Sequence, residues 1–155
     1  GIKTPLELTL TLPPTPYARQ GGEVIVAQLA KVGIVAKTQN VEWAQWLSGT
    51  YGNKNYDLTL ISHVEPFDLA NFAKPDYYWG YQSAKFNDLF NQIKNAARPQ
   101  DRARLLGDAQ KLLADDAVHA FLYQPQWITV ANKNLKGLWK DMPVFVNDLS
   151  ALSWS

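Results

Sequence analysis

Residues 6–12, LELTLTL, alternate without a break. Leu6, Leu8, Leu10 and Leu12 fall on one side, and Glu7, Thr9 and Thr11 on the other. A period of two is the mark of a half-buried strand. Pro13, Pro14 and Pro16 then end the ladder, because proline cannot donate to it. From about Tyr17 or Gly21 to Val32 the period lengthens. Ile25, Leu29 and Val32 stand at i, i+4 and i+7, flanked by Val24 and Gln28, and predict a helix. Gly33 occupies the place of a left-handed residue after the helix, with Ile34 positioned for the closing apolar contact. Residues 34–41 read as a second strand. Residues 42–56, EWAQWLSGTYGNKNY, read as a second helix with Trp43, Trp46 and Leu47 on one side, dissolving into a Gly/Asn loop. Residues 57–62, DLTLIS, give a third strand. Strands alternating with helices imply crossover connections, hence a mainly parallel sheet with helices on both faces.

Two further helices follow a loop at 62–82. Phe86, Leu89, Phe90, Ile93 and Ala97 share one face, with Ser83 as the expected N-cap. In the next helix Pro99 falls near the first position, and Leu105, Leu106, Ala109, Leu112 and Leu113 form the buried stripe. Asp115 and Asp116 lie in its last turn, where the macrodipole disfavours carboxylates, so a local pairing with Lys or backbone amides is expected for them. From His119 onward the pattern predicts one or two strands and a turn at 132–134. The tail from Lys140 is apolar without a clean period, as in a segment made to pack against something else.

Composition narrows the function. The chain has 155 residues, a length for one domain, with 46% hydrophobic and 19% charged residues. Its net charge is +1, and Arg98, Arg102 and Arg104 share their helix with Asp101 and Asp108. That is a solvated face rather than a phosphate-binding stripe, so no nucleic-acid partner is expected. There is no cysteine, which excludes disulfides, zinc ribbons and thiol nucleophiles. No run approaches the ~18 apolar residues that suggest a membrane span. The opening GIKTPLELTL has no basic stretch followed by an apolar core, so no signal peptide is read there.

What stands out is the aromatic content, six Trp, seven Tyr and six Phe, and its concentration in SHVEPFDLANFAKPDYYWGY at 62–81. In an open α/β sheet, ligands bind beyond the carboxyl ends of the strands. Thr15, Tyr17 and Arg19 follow the first strand, and Glu42 and Trp43 the second. Ser62, His63, Glu65, Phe67 and Asp68 follow the third, so three loops deliver aromatic and charged groups to one rim. Glu65 and Asp68 could form an acid–base pair, with His63 as a general base, the chemistry of a secreted glycoside hydrolase. Three residues apart in one loop, they do not define a separation across a substrate, and binding ranks ahead of catalysis. His63-Val64-Glu65 with His119 makes a poor metal set, Gly21-Gly22 lacks the phosphate-loop pattern, and no Gly-x-Ser-x-Gly elbow occurs. Tyr and Trp offer rigid contact area, and a carboxylate among aromatics suits a cationic amine. About half of Tyr77, Tyr78, Trp79 and Tyr81 are expected to pack inward instead, since successive residues of an extended segment point opposite ways.

Four stretches carry a family resemblance. Residues 6–48, the segment YDLTLISHVEPFDLANF, the helices from YQSAKF to LADDA, and FLYQPQWITVANKNLKGL together resemble the C-terminal lobe of the bacterial family 5 extracytoplasmic solute-binding proteins. These are the peptide, nickel and oligosaccharide receptors that feed ABC importers. The resemblance implies a type II periplasmic-binding-protein lobe over 1–155, a core to about 118, and hinge-return strands and a tail over about 119–155. It also implies a non-enzymatic protein without cofactors. The N-terminal lobe of the same parent chain and a membrane permease would be its partners, and an upstream signal peptide would direct it to the periplasm or extracytoplasmic face. In peptide-binding members the loop after this strand runs Gly-Trp-x-x-Asp and then Asp-Pro-Asp, and its aspartate takes the peptide amine. Here it reads Ser62-His63-Val64-Glu65 and Pro66-Phe67-Asp68, which places Glu65 or Asp68 for that task. His63, Glu65 and Asp68 are thus expected to make polar contacts with the solute, and Tyr17, Trp43, Tyr78 and Trp79 to stack on it. Peptide, sugar, opine and nickel remain open as ligands, and a stand-alone protein-interaction domain is the third class of function.

Overall fold

A computed structural model describes residues 3–65, 67–126, 128–140 and 148–155. The chain divides into two compact units, Gly1–Ala120 and Phe121–Ser155. In the first, β1 (Leu6–Leu12) is the central strand of a three-stranded parallel sheet, flanked by β2 (Ile34–Asn40) and β3 (Leu58–Thr59). Leu6 pairs with Ile34 and Leu12 with Asn40, while Leu10 pairs with Leu58. The crossover α1 (Pro16–Ala30) covers one face, where Leu10, Leu12 and Ala18 are buried together. Helix and strand meet very closely: a Cβ on Gly22 would stand 2.5 Å from Leu12 Cδ1.

The opposite face explains why Thr11, read as outward, is buried. Trp46 lies there, its indole N–H donating to Thr59 Oγ1 at 3.0 Å, and Thr59 in turn donates to the Thr11 carbonyl at 2.8 Å. Three predicted boundaries shift. The helix ends at Ala30, so Val32 lies past its end and is exposed, while Gly33 takes the expected left-handed conformation (φ +83°). The predicted second helix is α2 (Trp43–Gln45), which continues as a π-helical turn, Trp46–Gly52. The third strand keeps only two of its six predicted residues.

The second core of this unit lies between α3 (Ala84–Asn95) and α4 (Pro99–Asp115). Ser83 caps α3 as expected, accepting from Phe86 N–H at 3.2 Å, and Pro99 opens α4. Phe86, Ile93, Leu105, Ala109, Leu112 and Leu113 are buried with Phe72. Ala97, assigned to this face, is exposed beyond the helix end, and Ala96 packs there instead. Arg98–Asp101 and Arg104–Asp108 form exposed ion pairs along α4. Asp116 meets not a lysine or a nearby backbone amide but Tyr81, distant in sequence, whose hydroxyl donates to Oδ2 at 2.6 Å.

In the second unit the expected turn is present: Asn134 N–H donates to Asn132 Oδ1, and Leu135 N–H to the Asn132 carbonyl. It leads into β4 (Leu135–Lys136), antiparallel to β5 (Ser153–Trp154). The return strands expected between 119 and 131 are not seen, since none of the described residues there is in a strand.

Candidate functional site

The ends of β1, β2 and β3 do bring their loops together. Tyr17, in the first turn of α1, accepts at its hydroxyl from Ser62 N–H at 3.0 Å, tying the first loop to the third. Arg19 reaches Glu42 at 3.4 Å, an exposed pair that ties the first loop to the second. Trp43 begins α2 and stays 43% exposed, edge-on to the buried Trp46 with ring centroids 5.9 Å apart.

His63 is the hub of the third loop. Its ring is stacked on Tyr78 (5.9 Å, 17°) and edge-on to Trp79 (5.4 Å). Nδ1 lies 3.2 Å from Glu65 Oε2, and Nε2 lies 2.8 Å from the Tyr78 hydroxyl. The Glu65 carboxyl is held below its ordinary value by backbone hydrogen bonding and by His63, so it is ionised, and its side chain is 54% exposed. Burial pushes the Tyr78 phenol up, with the neighbouring tyrosines and Glu65 adding to the effect. Tyr77 is pushed up to about 12 by burial, by Tyr51, and by the carboxylates of Glu65 and Asp68. Both phenols therefore keep their protons and act as hydrogen-bond donors at neutral pH.

The seven expected contact residues occupy different depths. His63, Glu65 and Tyr78 form one hydrogen-bonded group, and Tyr17 joins it through Ser62. Tyr78 is only 5% exposed, so it stands beneath the rim rather than on it. Trp79 stacks on Phe72 (4.6 Å) and meets His119 edge-on (4.5 Å), packing against the helical core. Asp68 opens the 3-10 turn Asp68–Ala73 and takes no part in the hydrogen bonds of His63. Trp46, Tyr51, Tyr56 and His119 were not singled out from the sequence as part of this region. Tyr51 lies five residues after Trp46, and their rings approach to 6.2 Å because the π-helical turn brings i and i+5 together. A search for that spacing would have found the pair. A shallow cleft of about 540 Å³ opens beside Tyr51, Lys74, Asp76 and Tyr77. Among the described residues no group of three or more His, Asp or Glu could hold a metal ion, and no helix is long and apolar enough to cross a membrane.

No protein-family model matches the chain. The oligopeptide-binding protein AppA of Bacillus subtilis is 26% identical over 125 residues, covering 74% of this chain and 23% of its own length. The dipeptide-binding protein of Escherichia coli is 27% identical over 146 residues, covering 81% of this chain and 25% of its own. The chain thus spans about a quarter of the length of these curated relatives. The solved structure of B. subtilis AppA in complex with a nonapeptide superposes with a TM-score of 0.77, at 21% identity over 97% of this chain and 32% of that one. A putative peptide-binding protein from Clostridium difficile gives 0.78, at 19% identity over 99% and 34%.

The fold is that of a type II periplasmic-binding-protein lobe. In sequence and in fold, the chain resembles solute-binding proteins of the family that its motifs suggested, the two curated relatives being oligopeptide- and dipeptide-binding proteins. Both curated relatives are binding proteins rather than enzymes, in agreement with the non-enzymatic reading.

Proposed function

We propose that this chain forms part of the solute-binding component of an ABC importer, acting outside the cytoplasm, and that it takes a peptide or a related cationic solute at the rim beyond β1, β2 and β3. The observation that carries this reading is Glu65. It is an ionised, half-exposed carboxylate set among His63, Tyr77 and Tyr78 on the strand-end loop of this fold. Such a group attracts an ammonium by charge, and the exposed Trp43 offers a ring on which a side chain can stack. The names of the relatives support the same class, since two of them bind oligopeptides and dipeptides. The solute would be enclosed by a second lobe from the rest of the parent polypeptide, and closure would present the complex to a membrane permease.

The test is a thermal-shift screen of the full-length polypeptide against di- to pentapeptides, sugars, opines and nickel. A ligand at a hundred times its dissociation constant stabilises by about 2.7 kcal/mol, a clear shift of the unfolding midpoint. Shifts confined to peptides bearing a free amine are expected, and Glu65→Gln should weaken them at least roughly tenfold by removing a charge-assisted bond. A response to sugars or nickel alone would overturn the amine reading.

A further inference from the structure

The hydrogen-bond pattern around His63 fixes an orientation as well as a position. Glu65 Oε2 accepts from Val64 N–H at 3.1 Å and faces His63 Nδ1 at 3.2 Å. An ionised carboxylate can only accept, so the hydrogen of that second contact belongs to Nδ1. In a neutral imidazole Nε2 is then a lone pair, and the Tyr78 phenol supplies the hydrogen of the 2.8 Å contact. A directed series results, in which Tyr78 O–H donates to Nε2 and Nδ1–H donates to Glu65.

Its inner end is packed on several sides. The Tyr78 ring is buried against Trp46 (5.7 Å), Tyr51 (5.2 Å) and Tyr56 (6.2 Å). The Tyr56 hydroxyl also donates to the Tyr78 carbonyl at 3.2 Å. Its outer end is a glutamate on an irregular loop, a side chain that otherwise samples many rotamers and loses that freedom when a ligand binds. Two donors on one oxygen direct the remaining acceptor capacity of the carboxylate outward.

We propose that His63 and Tyr78 are positioning residues, a two-bond relay that holds the Glu65 carboxylate in one orientation for a cationic amine of the solute. The proposal rests on the reading of this rim as the solute site. The relay raises affinity by pre-ordering the acceptor, and it selects for amines because its whole effect is exerted through a negative charge. Tyr78 acts without touching the solute.

The experiment uses the full-length polypeptide and a defined mixture of di- to pentapeptides, offered once with free amino termini and once N-acetylated. Retained peptides are identified by mass spectrometry after gel filtration, and affinities are measured by calorimetry. The readout is the preference for free over acetylated peptides. Tyr78→Phe keeps the ring and should cut that preference by roughly tenfold, the loss of one hydrogen bond in the series. His63→Asn, which keeps a donor near the Nδ1 position, should retain more of it than His63→Phe. Glu65→Gln should abolish it. If Tyr78→Phe weakens both peptide forms equally, Tyr78 only packs and the relay is overturned. If Glu65→Gln removes the preference while the Tyr78 and His63 variants keep it, the rim reading survives and the relay alone fails. If the unsubstituted protein shows no preference, or Glu65→Gln leaves it intact, both fall together.

Discussion

Phe86 and Tyr78 are both buried aromatic residues, one fully and the other 5% exposed, yet they are buried for different ends. Phe86 sits in α3, whose backbone groups bond to one another, so the side chain only has to fill space between α3 and α4. Tyr78 sits in an irregular loop, where peptide groups cannot satisfy one another by repetition. Isolated turn bonds meet some of them, Tyr77 N–H to the Lys74 carbonyl and Gly80 N–H to the Tyr77 carbonyl. A side chain adds to these, Tyr56 donating to the Tyr78 carbonyl, while the Tyr78 and Tyr81 hydroxyls engage His63 and Asp116. This accounts for the choice of rings. The helical layer uses Phe86 and Phe90, whereas Tyr78 and Tyr81 of the loop place their hydroxyls on His63 and Asp116. Burial in the helices provides stability, while burial in the loop fixes polar groups at the rim.

The sharpest way to break this comparison is Phe86→Ala, which should cost about 3–5 kcal/mol in a urea unfolding experiment, the usual price of emptying a core aromatic position. A loss under 1 kcal/mol would show that the two helices are not the structural base. Tyr81→Phe is the intermediate case. It removes the bond that joins the loop to the end of α4, and because the pair is exposed the expected cost is at most about 1 kcal/mol.

The smallest effect is a slope with pH. Burial holds the His119 imidazole below its ordinary value of 6.5, with His63 pushing the same way. The folded form therefore stays neutral where the unfolded chain takes up a proton. The contribution is intact above 6.5 and declines as pH falls through the window towards the folded value. Glu65, whose carboxyl is depressed, loses its contribution in the same direction at more acid pH. The unfolding midpoint should drop between pH 7.5 and 5, and His119→Phe should flatten that drop. A midpoint that rises on acidification would refute the assignment.

The legibility of the sequence follows the same division. The strand at 6–12, the stripe of α4, the Ser83 cap, the Pro99 start and the left-handed Gly33 were all readable, because each is a local rule with a fixed spacing. The convergence of the rim loops was readable from topology. The depth of each aromatic residue was not. Tyr78 and Trp79 are adjacent, yet one fits under His63 against Trp46 and the other stacks on Phe72, partners set by contacts distant in sequence. The π-helical turn escaped for another reason: a 3.6-residue period places Tyr51 with Leu47, four residues before it, and gives no sign that its ring meets Trp46, five residues before it.

The edge-on pair of Trp43 and Trp46 has an optical consequence. Three residues apart, one indole is 43% exposed and the other 4%. A soluble quencher such as acrylamide will extinguish the first and spare the second. In a variant whose other four tryptophans are replaced by Phe, a solute seated at the proposed rim site will shield Trp43 while leaving Trp46 as an internal standard, so occupancy can be followed from the protein's own fluorescence.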